Sequence, residues 1–115
     1  MSLIRESVPL NTDGAGAVTR TVRASPAILR AVDLEIGTLN APDIVITEEP
    51  VGTTLLGLTA VNTDGRYLPV VVGQDDSGAD VVGSAVSPVV LSRIQIAVTG
   101  ADASSTGRIV LILER

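Results

Sequence analysis

Arg93-Ile94-Gln95-Ile96-Ala97-Val98-Thr99 alternates large apolar side chains with polar or small ones, without a break. In an extended chain successive side chains point to opposite faces. Ile94, Ile96 and Val98 therefore share one face, and Arg93, Gln95 and Thr99 the other. This is the pattern of a β-strand with one face in a core and one in water. Several neighbouring segments read the same way. Ile4, Glu6, Val8 and Leu10 alternate with Leu3, Arg5 and Ser7, and Val18 and Val22 alternate with Thr19, Thr21 and Arg23. Ile44 and Ile46 carry a further strand, and Leu55, Leu56 and Leu58 lie in another. Residues 66–72 hold Tyr67 and the run Val70-Val71-Val72, and residues 80–86 form a weaker candidate. Residues 108–113 are apolar on both faces, which places the strand inside a sheet or against another subunit.

Turn signals separate these strands: Asn11-Thr12-Asp13-Gly14, residues 37–42, Glu49-Pro50-Val51-Gly52, Asn62-Thr63-Asp64-Gly65, residues 74–78, Ser87-Pro88 and residues 100–107. Their intervals are close to the roughly 8–12 residues of an all-β sandwich or barrel. Helix competes only over residues 27–36, where Ser25-Pro26 could open it and Leu29, Val32 and Ile36 would share a face. Period-2 alternation collects more of the apolar residues there, with Ile28, Val32, Leu34 and Ile36 on one side and Asp33 and Glu35 on the other, so a strand is expected. The chain is thus expected to be one all-β domain of about eight short antiparallel strands. Residues 1–10 are a candidate arm or swapped strand. The two copies of Asn-Thr-Asp-Gly read as convergent turn chemistry rather than a repeat, because Ala15-Gly16-Ala17-Val18 after the first does not match Arg66-Tyr67-Leu68-Pro69 after the second.

Composition bears on function. The 115 residues contain no Cys, His, Trp, Phe or Lys, one Tyr, and thirty-eight Val, Leu and Ile. Without His or Cys there is no Ser-His-Asp or Cys-His arrangement, and without Lys no Ser-Lys pair or Schiff base. The adjacent carboxylates Glu48-Glu49 and Asp75-Asp76 fall in or beside turns and read as solvated surface. Asp75, Asp76, Ser77 and Asp80 are the densest set of oxygen ligands, but lack the spacing of a calcium loop and read as a polar hairpin tip. No glycine-rich phosphate loop is present. One tyrosine is a thin supply of stacking platforms for sugars. No enzyme, cofactor or metal is therefore expected.

The net charge of −5, with scattered arginines, argues against nucleic acid or an anionic membrane as partner. No apolar leader opens the chain, so synthesis in a cytoplasm is expected. Thirty-eight branched aliphatics exceed what one small core needs, which leaves apolar surface for a protein partner. The candidate interface residues are Leu3, Ile4, Tyr67, Leu68, Val70, Val72, Ile109, Leu111 and Leu113. The segment from Leu68 to Val72, with Pro69 near its start, reads as an edge strand.

Taken together, the opening apolar strand from Leu3 to Leu10, the turn Thr12-Asp13-Gly14-Ala15-Gly16, a Gly- and Thr-rich middle, Tyr67-Leu68-Pro69 and the closing Gly107-Arg108-Ile109-Val110-Leu111-Ile112 resemble small all-β virion proteins of tailed bacteriophages. The resemblance implies a jelly-roll or β-sandwich that binds the capsid exterior as a cement or decoration protein. It implies the major capsid protein as partner and self-association, as a trimer before a dimer. A head–tail connector or other neck protein, and a non-catalytic carbohydrate- or receptor-binding module, are the alternatives. The absence of Lys also fits codon usage in a GC-rich host.

Overall fold

Ile94, Ile96 and Val98 are buried on β10 (Arg93–Thr99), while Arg93 and Thr99 are exposed. The structure is a computed structural model. It describes all residues except Met1, Ser25, Val51, Asp75, Asp76, Gly78 and Ala79, and gives residues 71–74 and 80–85 by backbone alone. β10 lies between β2 (Val18–Arg23) and β4 (Asp43–Glu49), antiparallel to both, and β5 (Thr53–Leu58) pairs with β4. These form a four-stranded sheet of order β2-β10-β4-β5.

The second sheet is built round β11 (Thr106–Glu114), which sits between β1 (Leu3–Asn11) and β3 (Ala27–Glu35). The short strands β6 (Gly65–Tyr67) and β9 (Val89–Val90) both pair with β3. The chain is therefore all-β, with nine strands in two antiparallel sheets and no helix among the described residues. β7 (Val71–Gln74) and β8 (Asp80–Val86) form a separate antiparallel pair. β1 to β2, β2 to β3, β3 to β4, β5 to β6 and β10 to β11 each pass from one sheet to the other. The buried faces of the two sheets share one core. Val8, Leu10, Val32, Leu34, Ile109 and Leu111 come from one side, and Ile44, Ile46, Ile94, Ile96 and Val98 from the other. Each such side chain, fully buried, is worth about 1.5–3 kcal/mol.

Two expectations need correction. Ala27–Glu35 is a strand, as expected, but Ile28 does not share a face with Val32 and Leu34. Ile112 faces Ala31 and Leu113 faces Leu29, so Arg30 is an extra residue without a partner on β11. This bulge shifts the alternation by one. Leu29 is fully buried and Ile28 only half-buried. The bulge also explains the helix-like spacing of Leu29 and Val32. The second correction concerns the edge strand from Leu68 to Val72. β6 ends at Tyr67 and β7 begins at Val71, with a buried Pro69 in the connection. Proline has no N–H to carry a ladder onward, and here the chain leaves the larger sheet.

One end of the molecule is tied by short polar side chains. Asp13 Oδ1 accepts from the N–H groups of Ala15 and Ala17 at 2.8 and 3.0 Å. Asp43 Oδ1 accepts from Ala60 N–H at 2.8 Å, and Asn62 Oδ1 from Ala41 N–H at 3.0 Å. Asp64 Oδ1 accepts from the N–H of Ile36 at 2.8 Å. The two Asn-Thr-Asp-Gly turns therefore use their aspartates differently, one within its own turn and one on a distant strand end. Buried Thr12 and Ser105 complete the end. Thr12 Oγ1 donates to the Asp102 carbonyl at 2.8 Å and accepts from Ser105 N–H at 2.8 Å. Ser105 Oγ donates to the same carbonyl at 2.6 Å. Burial of these hydroxyls is offset because each finds a partner.

Candidate functional site

The outer face of the larger sheet is unlike the rest of the surface. Side chains alternate along its strands, so the residues between the core positions point outward: Leu3 and Arg5 on β1, Ile112 and Glu114 on β11, Arg66 on β6. The bulge adds Arg30 to this face. With Ala31 and Leu68 they line an open groove of about 590 Å³. Its floor is apolar, from Ala31 and Ile112, and guanidinium groups stand round it. A smaller depression of about 300 Å³ lies at the other end of the face, between Pro9, Glu35 and Arg108.

All the ion pairs found among the described residues lie on this face. Arg30 makes a two-pronged contact with Glu114, Nε to Oε1 at 2.9 Å and Nη2 to Oε2 at 3.0 Å. Arg66 grips Asp33 in the same way at 2.6 and 2.8 Å. Arg5 approaches Asp33, and Arg108 approaches Glu35, each at 3.9 Å. Paired two-pronged geometry gives direction as well as attraction. The hydrogen bonds from Arg66 hold the Asp33 carboxyl below its ordinary value, the charges of Arg66 and Arg5 add to this, and partial desolvation opposes it. Arg30 lowers Glu114 through its hydrogen bonds and charge. At the opposite end of the molecule, the N–H groups of Ala17 and Ala15 lower Asp13.

These shifts set a pH dependence. A carboxylate whose pKa is lower in the folded chain contributes stability above its unfolded pKa, and loses it as pH falls through the folded value. The melting temperature is expected to be flat from about pH 7 to about pH 5 and to fall below about pH 4. In Asp33→Asn the fall should be shallower. A thermal-melting series over pH in both proteins checks this, and an unchanged slope in the variant would refute the role of Asp33.

The outer face of the four-stranded sheet is different. Thr19, Thr21, Thr47 and Gln95 dominate it, with Val45 as its exposed large apolar residue. No group of three or more acidic, His or Cys side chains converges on a metal position among the described residues. The cluster of Asp75, Asp76, Ser77 and Asp80 named from the sequence lies largely outside the described residues.

The expected interface residues divide into three groups. Leu3 and Leu68 are 66% and 67% exposed and meet at the groove, and Val70 beside them is also exposed. Ile4 is half-buried, and Tyr67 is half-buried against the core. Ile109, Leu111 and Leu113 are buried completely or nearly so, and their neighbours Val110 and Ile112 face outward instead. A strand apolar on both faces does not reveal which face turns inward, and here the odd-numbered residues do. The side chain of Val72 lies outside the described residues. Sequence reasoning missed Arg5, Arg30, Arg66 and Glu114. Each looked like an ordinary outward residue, and only the register of distant strands brings them together. Compared with known proteins, the chain matches no family model, no curated protein and no solved structure.

Proposed function

We propose that this chain is a structural protein of a tailed-phage virion, which binds the capsid exterior as a cement or decoration protein and works by packing against protein neighbours. The observation that carries the reading is the exposed aliphatic surface at one end of the larger sheet. Leu3, Leu68, Val70, Val86 and Val89 are all more than half exposed. Leu3, Glu114, Ile28 and Val89 succeed one another across four paired strands, so Leu3 and Val89 bracket a single row. Val86 pairs with Val71, next to Val70. Isolated exposed leucines are ordinary, but several large exposed aliphatic side chains gathered toward one end of a sheet favour a surface meant to be covered.

The fold proposed with this role is a jelly-roll. In a jelly-roll, eight strands form two four-stranded sheets, and consecutive strands cross between them. The orders β1-β11-β3-β6 and β2-β10-β4-β5 support that assignment, since the last strand lies beside the first. Jelly-rolls occur in viral capsid proteins, though also in lectins, so the topology favours the reading without being specific to it. The aspartate-tied loops and paired hydroxyls favour a rigid body over a hinged one.

Quantitative mass spectrometry of purified particles tests the proposal. The chain is expected in copies comparable to the major capsid protein. Particles assembled without it should bind the purified chain saturably and melt at a higher temperature once loaded. A copy number matching one ring, or binding confined to the portal vertex, would favour a neck protein. Absence from particles would end the virion reading altogether.

A further inference from the structure

We propose that the outer face of the larger sheet is covered by the same face of a second copy of this chain, in a two-fold symmetric pair. The inference deepens the packing role above by naming the neighbour of one surface, and its test uses no capsid, so either can fail alone.

Charge is the first argument. The chain carries −5, so two copies repel each other on most of their surfaces. This face carries four arginines, Arg5, Arg30, Arg66 and Arg108, against three carboxylates, Asp33, Glu35 and Glu114. The face sums to +1 against −5 for the whole chain, so two copies meeting there avoid most of that repulsion. It also presents both signs, so a face turned on itself can set guanidinium groups of one copy near carboxylates of the other. Arg5 is free to make such a contact: it is 67% exposed and reaches Asp33 only at 3.9 Å.

Apolar complementarity is the second argument, and it selects the two-fold arrangement. A head-to-tail contact would set this face against a different part of the next copy. Among the described residues, the large exposed apolar side chains outside this region are Val45, on the Thr- and Gln-rich face of the other sheet, and Leu91. Leu91 sits near the end of the four-stranded sheet, where its N–H donates to Glu48. Neither offers a matching patch. Leucine meets leucine only if the face meets itself, which is the self-complementary contact of a two-fold pair.

The size is adequate. β1, β3 and β11 are nine residues each. With the short β6 and β9 beside them they span roughly 30 Å by about 20 Å. Relief of the side chains brings the accessible area toward the ~800 Å² per partner of a stable pair.

Sedimentation equilibrium on the purified chain decides the matter, with Leu3→Glu/Leu68→Glu and Val45→Glu as variants. Leu3, Leu68 and Val45 are all exposed, so the core is undisturbed, and thermal melting confirms that each variant folds. At ~100 µM, where a pair with Kd of about 10 µM or tighter is mostly formed, the wild type should show twice the 11.7 kDa chain mass. The double variant should dissociate at least about tenfold more readily, since it brings carboxylates into an apolar contact. Val45→Glu should remain paired. A wild type at the mass of one chain or of a trimer overturns the proposal. So does a double variant that stays paired, or a Val45→Glu that comes apart.

Discussion

Leu111→Ala is expected to lower the unfolding free energy by about 3–4 kcal/mol. Leu111 is fully buried at the middle of β11, paired with Glu6 on one side and Val32 on the other. Truncating it to a single methyl removes most of its packing contacts and leaves a cavity that the rigid strands on both sides cannot close. Its neighbour Ile112 provides the contrast, since it points to the groove and is only half-buried. Ile112→Ala should cost about 1 kcal/mol in the monomer. Urea unfolding of both variants checks this, with an unchanged slope showing that only stability has moved. Equal losses at the two positions would mean that β11 is assigned the wrong inward face.

Gly16→Ala is expected to cost about 3 kcal/mol, by a different mechanism. Gly16 has φ of 75°, a conformation that a Cβ disfavours by about 1 kcal/mol. An added Cβ would also strike the backbone carbonyl of Ala101, which cannot rotate away as a side chain could. Ala101 N–H donates to Gly16 O at 3.2 Å, and Gly16 N–H donates to Asp13 O at 3.1 Å, so both strain and lost hydrogen bonds fall on the same loop pair. Gly14, two residues earlier, has open space where its Cβ would lie. Gly14→Ala should stay within about 0.5 kcal/mol. Thermal melting of the two variants separates them. A near-neutral Gly16→Ala would show that the Gly16 and Ala101 loops are not held together as described.

Much of the larger architecture was legible because β-alternation is a local signal. Ile94, Ile96 and Val98 declared their burial within seven residues, and Val8 with Leu10, and Ile44 with Ile46, did the same. The two apolar faces of β11 allowed a place inside a sheet or against another subunit, and the strand lies between β1 and β3. The bulge at Arg30 was misleading, because one extra residue changed the spacing of Leu29 and Val32 to three. A single sequence cannot distinguish that spacing from a helical turn. Pro69 suits an edge strand by its residue type, but its missing N–H ends the strand instead.

The candidate face was far less legible. Leu3, Leu68 and Val70 could be named because large apolar residues near a strand end or a proline are conspicuous. The arginines and carboxylates round them could not, since Arg30 and Glu114 are 84 residues apart and Arg66 and Asp33 are 33 apart. By itself the sequence determined that the chain is all-β, which positions of most strands face the core, and that familiar His, Cys and Lys chemistry is absent. Those properties depend on side-chain alternation and composition, which are written residue by residue. Tertiary structure alone decided which face of β11 turns inward, which arginine meets which carboxylate, and where the unused apolar side chains collect. Each depends on the register between strands distant in the chain, and register is set by how two whole sheets pack together.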